Sequence, residues 1–207
     1  MRQKIALLFA VIVWFAVIAQ LVLMIQNRVA SIPETIIRFF SFFTILTNLL
    51  VAFYFTSQAL KRGNFNKPGV LTAITVYITI VGLVYQVLLR HIWQPTGLQL
   101  VVDELLHTIN PLIVVLFWYL YEKKDAVKYS QIRSWLIYPA AYLVYVLIRG
   151  SLSAFYPYPF INVARIGTTK TLLNSSLLLA FFIVTAFIFV AVGKGLAKKR
   201  TAFIKQA

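Results

Sequence analysis

VLTAITVYITIVGLVYQVLL, running from Val70 to Leu89, is a stretch of twenty residues without one charged side chain. A bilayer's hydrocarbon core is about 30 Å thick, and a helix rising about 1.5 Å per residue crosses it in about 20 residues. Other predominantly apolar runs lie on both sides of it. Ile5–Ile25 and Ile36–Gln58 precede it; Leu100–Tyr121, Ile132–Ile148 and Leu172–Val192 follow. Of the 207 residues, 61% are hydrophobic and 12% charged, whereas soluble domains carry about 45–50% and about 25%. The expected fold is all-α: a polytopic membrane bundle of six transmembrane helices, forming one domain over residues 1–207 with no separate soluble part.

The first run resembles a signal peptide, because Val29-Ala30-Ser31 loosely imitates a cleavage site. Its apolar stretch is about twice the usual signal core, so an uncleaved helix is expected. The chain has no cysteine, which excludes disulfides, thiolate metal sites and a cysteine nucleophile. Two histidines and five acidic residues give a metal centre little to work with, and no cofactor is expected. The formal net charge of +15 does not point to nucleic acid, because the basic residues sit in short segments flanking the apolar runs. No repeat, low-complexity stretch or lipidation motif stands out.

Those basic residues set an orientation. Arg2 and Lys4, then Lys61, Arg62 and Lys67, then Lys123, Lys124, Lys128 and Arg133, and finally Lys194, Lys198, Lys199, Arg200 and Lys205 fall on one side of a six-span chain. Arg28, Arg38, Arg90, Arg149, Arg165 and Lys170 fall on the other. Positive residues favour the cytoplasmic side, so both termini are expected there. The longest connection, 150–171, lies outside and reads SLSAFYPYPF after Gly150. Its prolines stop a helix and its aromatics suit the headgroup layer, as an interfacial anchor or as a lid over a cavity.

Polar residues inside a bilayer are costly and mark the place to look for function. Thr44 follows Ile37 by seven residues, roughly 10 Å below the outer end of a straight helix. His107 follows Val101 by six residues, at roughly 9 Å from the same side. Asn48 shares the face of Thr44 at i+4, and Asp103 shares the face of His107 one turn above it, placed to orient the imidazole. Asn110 follows, and Pro111 loosens the backbone ladder near the histidine. Tyr85, Gln86, Tyr145, Arg149 and Asn174 to Ser176 reach a similar level, while the cytoplasmic half looks almost wholly aliphatic and aromatic. That asymmetry implies a polar pocket facing the outer leaflet.

Each residue also has a plainer reading. A membrane threonine commonly bonds back to its own backbone, and a histidine can bridge helices without reacting. Asp103 suits a solvated helix N-terminus, and Arg149 can snorkel to the headgroups. On pattern alone function stays open.

Phe42-Phe43-Thr44-Ile45-Leu46, and Leu106-His107-Thr108 followed by Pro111, resemble the androgen-induced and androgen-dependent TFPI-regulating protein family. Tyr156-Pro157-Tyr158-Pro159 is similar to that family's aromatic-proline loop. With Arg149-Gly150 and Phe160, the same string resembles uncharacterised bacterial six-helix relatives. The resemblance follows helix order over most of the chain, and Thr47-Asn48 depart from it. It implies a threonine hydrolase of fatty acid esters of hydroxy fatty acids, in a bacterial inner membrane. Thr44 stands in the place of the nucleophile and His107 in the place of the base.

That chemistry needs a base within reach of the threonine hydroxyl, roughly 2.6–3.2 Å and often looser without substrate. Asp103 would hold the imidazole tautomer, Asn48, Asn110 or Gln86 would donate to the oxyanion, and Arg149 would bind an anionic headgroup at the rim. The expected partners are membrane lipids carrying an acyl ester. A transacylase, a lipid-binding or transport protein, and an accessory subunit are the alternatives. Transport is disfavoured because no repeat and no midplane polar layer are visible, and the accessory role because no small-residue seam such as GxxxG is apparent.

Overall fold

The computed structural model describes residues 1–206, with the side chains at 64, 200, 201 and 203–206 set aside. It is 83% helical, and no strand occurs among the described residues. The backbone gathers into two compact units, Met1–Lys123 and the remainder from Lys124.

The first unit runs α1 (Arg2–Gln26), α2 (Ile32–Phe39), α3 (Phe43–Ala59), α4 (Val70–Val84), α5 (Gly97–Glu104) and α6 (Asn110–Tyr121). A π-helical turn, Tyr85–Leu89, extends α4, and a second, Leu105–Ile109, joins α5 to α6. Ala6, Ala10, Val13, Ala16 and Val17 form the buried stripe of α1, which packs along α3. This is a small-residue seam without the GxxxG pattern; alanines let two backbones approach as glycines do. Phe9, Phe55 and Phe117 close the core edge to face, with centroids 5.1–6.2 Å apart.

Among the described residues five helices are long and apolar enough to cross a membrane: Arg2–Gln26, Val70–Leu89, Gly97–Tyr121, Tyr129–Ser153 and Val163–Lys199. The expected straight helix over Ile36–Gln58 is instead a broken pair, α2 and α3, bent by 72°; counted as one span it makes six. Neither Gly nor Pro marks the break. The Ser41 and Phe42 amides bond three residues back, to Arg38 and Phe39, and the Ser41 hydroxyl bonds to the Ile37 carbonyl at 2.8 Å. Those bonds tighten and end α2. Phe42 is then extended (φ −84°, ψ 126°) and restarts the chain as α3. Thr44 is therefore the second residue of a new helix, and its depth does not follow from counting along a straight one.

The second unit holds α7 (Ile132–Trp135), α8 (Ile137–Ser153) and α9 (Val163–Gln206), the last broken at Gly167, whose φ is 79°. The expected long connection 150–171 is mostly helix. α8 continues to Ser153 and ends on Ala154 in the left-handed region, and Asn162 Oδ1 accepts from the Arg165 amide to start α9. Only 154–162 remains between them. There Tyr158 and Phe160 stack at 5.2 Å, the Asn174 amide holds the Phe160 carbonyl at 2.8 Å, and the Tyr156 ring lies where Gly150 would carry a Cβ.

In both units large apolar side chains face outward, among them Leu7, Val11, Phe15, Ile18 and Val22 on α1 and Leu173, Leu177, Val184 and Ile188 on α9.

Candidate active site

The break before α3 and the π turn after α5 bring together two side chains from two helical segments of the first unit. Thr44 Oγ1 lies 3.3 Å from His107 Nε2. The other imidazole nitrogen, Nδ1, is 3.0 Å from the Asp103 carbonyl oxygen and 3.3 Å from Asp103 Oδ1. With no donor among these two contacts, Nδ1 carries the hydrogen in the neutral ring, and the Nε2 lone pair faces the threonine hydroxyl. Thr44 and Asp103 are buried, while the imidazole keeps 12% of its side-chain surface exposed.

The histidine is set by irregular helix. Pro111 has no amide hydrogen, so the carbonyl four residues back, that of His107, loses its ordinary helical partner. The chain relaxes into a π turn at 105–109, the kind of turn that is frequent at functional sites. Gly82 of α4 makes room for it: a Cβ there would stand 3.1 Å from the His107 carbonyl oxygen and 3.2 Å from Pro111 Cγ.

Asn48 and Asn110 tie the two sides. Asn48 Nδ2 donates to the Thr44 carbonyl at 2.9 Å and the Leu106 carbonyl at 3.3 Å. Both hydrogens are thereby used, so Asn48 acts as a strut between the helices and has none left for an oxyanion. Asn110 Nδ2 donates to Asn48 Oδ1 at 2.7 Å, and Asn110 Oδ1 is buried without a partner among the described residues. Gln86 belongs to a neighbouring network: it donates to Thr108 Oγ1 at 2.9 Å, Thr108 donates to Glu104 at 2.7 Å, and Arg90 pairs with both Gln86 and Glu104. Arg149 lies in the second unit, on α8, with its guanidinium 5.7 Å from the Phe155 ring centre.

Sequence reasoning noted Tyr85 only for its level in the helix. In the structure its ring stacks on the His107 imidazole, with centroids 4.1 Å apart and planes 15° apart, and its hydroxyl donates to Asp103 Oδ2. No motif marked it in the sequence; tyrosine in a membrane helix usually reads as an interfacial aromatic.

The other end of the first unit, expected to be almost wholly aliphatic and aromatic, is not purely apolar either. Glu122 Oε2 accepts from the Thr72 amide and hydroxyl at 2.9 and 2.8 Å, and Trp118 Nε1 donates to Thr72 Oγ1 at 3.0 Å. Arg2 donates to Gln58 at 2.6 Å, and Gln58 to Asn66 at 3.0 Å. Among the described residues no three His, Cys, Asp or Glu side chains are grouped to hold a metal.

The chain matches no protein-family model, no curated protein and no solved structure in the three comparisons.

Proposed function

We propose that this protein is an intramembrane ester hydrolase in which Thr44 is the nucleophile and His107 the base. The observation that carries the reading is the 3.3 Å approach of Thr44 Oγ1 to the lone-pair nitrogen of a histidine whose other nitrogen is held by Asp103. A threonine alone is a weak nucleophile, and this arrangement is how a hydroxyl is activated.

In the proposed reaction, His107 Nε2 takes the Thr44 proton as Oγ1 attacks the ester carbonyl carbon. The tetrahedral intermediate collapses, the C–O bond to the alcohol breaks, and the proton on Nε2 passes to the departing alkoxide. A water molecule then attacks the acyl-threonine with its proton going to His107. The carboxylic acid leaves and Thr44 Oγ1 recovers its proton. Asp103 supports the positive imidazolium at each stage. With Asn48 committed, the second amide hydrogens of Asn110 and Gln86 are the oxyanion donors this reading names.

The outward apolar faces support a bilayer setting, because a soluble protein rarely exposes contiguous apolar patches of this extent. On this reading α2 and α3 form one broken span, the chain crosses six times, and the charge asymmetry puts both termini in the cytoplasm of a bacterial inner membrane. The substrate is an acyl-ester lipid taken from the leaflet, with esters of hydroxy fatty acids as the class the family resemblance suggests.

The test treats the detergent-purified protein and its Thr44→Ala and His107→Ala variants with a fluorophosphonate probe. Labelling of the wild type that both variants lose, with melting temperatures preserved, is the expected result. A wild type that does not label, or labelling that survives Thr44→Ala, overturns it.

A further inference from the structure

Beyond the nucleophile and base, the site contains a group that no reading of the sequence assigned a task. Tyr85 is 3% exposed and touches both members of the pair that sets His107. Its ring covers one face of the imidazole, and its hydroxyl donates to Asp103 Oδ2 while Asp103 Oδ1 faces His107 Nδ1. Each carboxylate oxygen is thus engaged on its own side.

A carboxylate held by one contact can swing about its last torsion, and a ring packed on neither face can turn about its own. Here neither motion is open without breaking the Tyr85 contacts. We infer that Tyr85 is a positioning residue, which fixes the Asp103 carboxylate and the plane of His107 so that the Nδ1–H tautomer is kept and Nε2 stays aimed at Thr44. This rests on the hydrolase reading given above. Tyr85 itself is no acid in the reaction, because its hydrogen points at Asp103 and its ring at His107; it acts through both.

Both members of the stacked pair sit on π turns. Tyr85 opens the π turn at 85–89, and His107 is the middle residue of the one at 105–109.

A merely structural role predicts something different. An interhelical hydrogen bond in a membrane protein averages about 0.6 kcal/mol, so its loss alone would lower the melting temperature slightly and leave turnover intact. The experiment uses the full-length protein in detergent micelles, with 4-nitrophenyl octanoate as probe substrate and fluorophosphonate labelling as a second rate. Tyr85→Phe keeps the ring and removes the hydroxyl; it is expected to lower kcat about 10- to 100-fold with KM within about twofold. Tyr85→Leu, which also removes the stack, is expected to fall further. Asp103→Asn combined with Tyr85→Phe is expected to be no worse than Asp103→Asn alone, because the hydroxyl acts through the carboxylate.

One measurement needs no turnover. The chain has two histidines, so His91→Gln leaves His107 as the single imidazole signal in a ¹⁵N spectrum. That signal is expected to show the Nδ1–H tautomer in the parent and a mixture of tautomers after Tyr85→Phe. An Nε2–H tautomer in the parent, or an unchanged spectrum and kcat in Tyr85→Phe, overturns the inference while leaving the hydrolase reading in place. A wild type that neither hydrolyses nor labels overturns the hydrolase reading, and the catalytic role of Tyr85 falls with it.

Discussion

The two ends of the first unit handle buried polar groups in opposite ways. At the end holding Arg2, Gln58, Thr72 and Glu122, polar side chains complete regular helices. Glu122 receives the amide and hydroxyl of Thr72 in the first turn of α4, and Trp118 donates to the same hydroxyl. That is capping done by a residue 50 positions away. At the other end the helices themselves are irregular: α2 breaks from α3, and two π turns face each other. There the polar groups converge on one imidazole. Polarity within apolar surroundings is therefore no guide to chemistry by itself. What separates the ends is whether the backbone has departed from α-helix to aim a side chain.

The strongest way to break this comparison is Thr44→Ala. Fluorophosphonate labelling is expected to fall by more than about 10³-fold, while stability changes by less than about 1 kcal/mol. Equal losses of both would make the reactive end a structural one. Gly82→Ala comes next. The added methyl presses on the His107 carbonyl and Pro111, shifting the imidazole, and a labelling rate about 100-fold lower is expected with the protein still folded. Glu122→Leu tests the opposite end: the Thr72 amide loses its acceptor, with an expected cost of about 1–3 kcal/mol in chemical denaturation and labelling within about twofold of wild type. A large loss of labelling in a well-folded Glu122→Leu protein would show that the two ends are coupled. The smallest effect is expected from Glu34→Gln, which weakens an i,i+4 pair with Arg38 at 2.8 Å on α2; about 0.3–0.5 kcal/mol is expected, read as a slight shift in melting temperature.

How much of this was readable from residues alone differs by element. Long apolar runs locate α1, α4 with its π turn, and the α5–α6 helix to within a few residues, because apolar length is a local property. The break at 40–42 carries no Gly or Pro. It depends on a serine bonding backward and on two phenylalanines, Phe39 and Phe43, finding buried positions, which only packing decides. The closeness of Asp103 to His107 follows from the helical period. The pairing of Tyr85 with Asp103 does not, because it joins two helices through irregular turns. Asn48 was readable as sharing the face of Thr44, but its use of both amide hydrogens on carbonyls of different helices was not. The local motif survives translation from sequence; the aim of each side chain is set by partners 18 to 63 residues away.

The paired π turns also fix the number of residues between landmarks. A π turn closes its hydrogen bond over five residues where an α-helix uses four, so each contains one residue beyond what the helix needs to continue. Deleting one residue within 85–89 or 105–109 would leave a perfectly acceptable α-helix. It would also rotate everything beyond the deletion by about 100°, relative to what precedes it. A deletion at 105 or 106 would turn His107 away from Tyr85, with no residue replaced. A single-codon gap there is thus a sharper marker of a lost site than most substitutions around it.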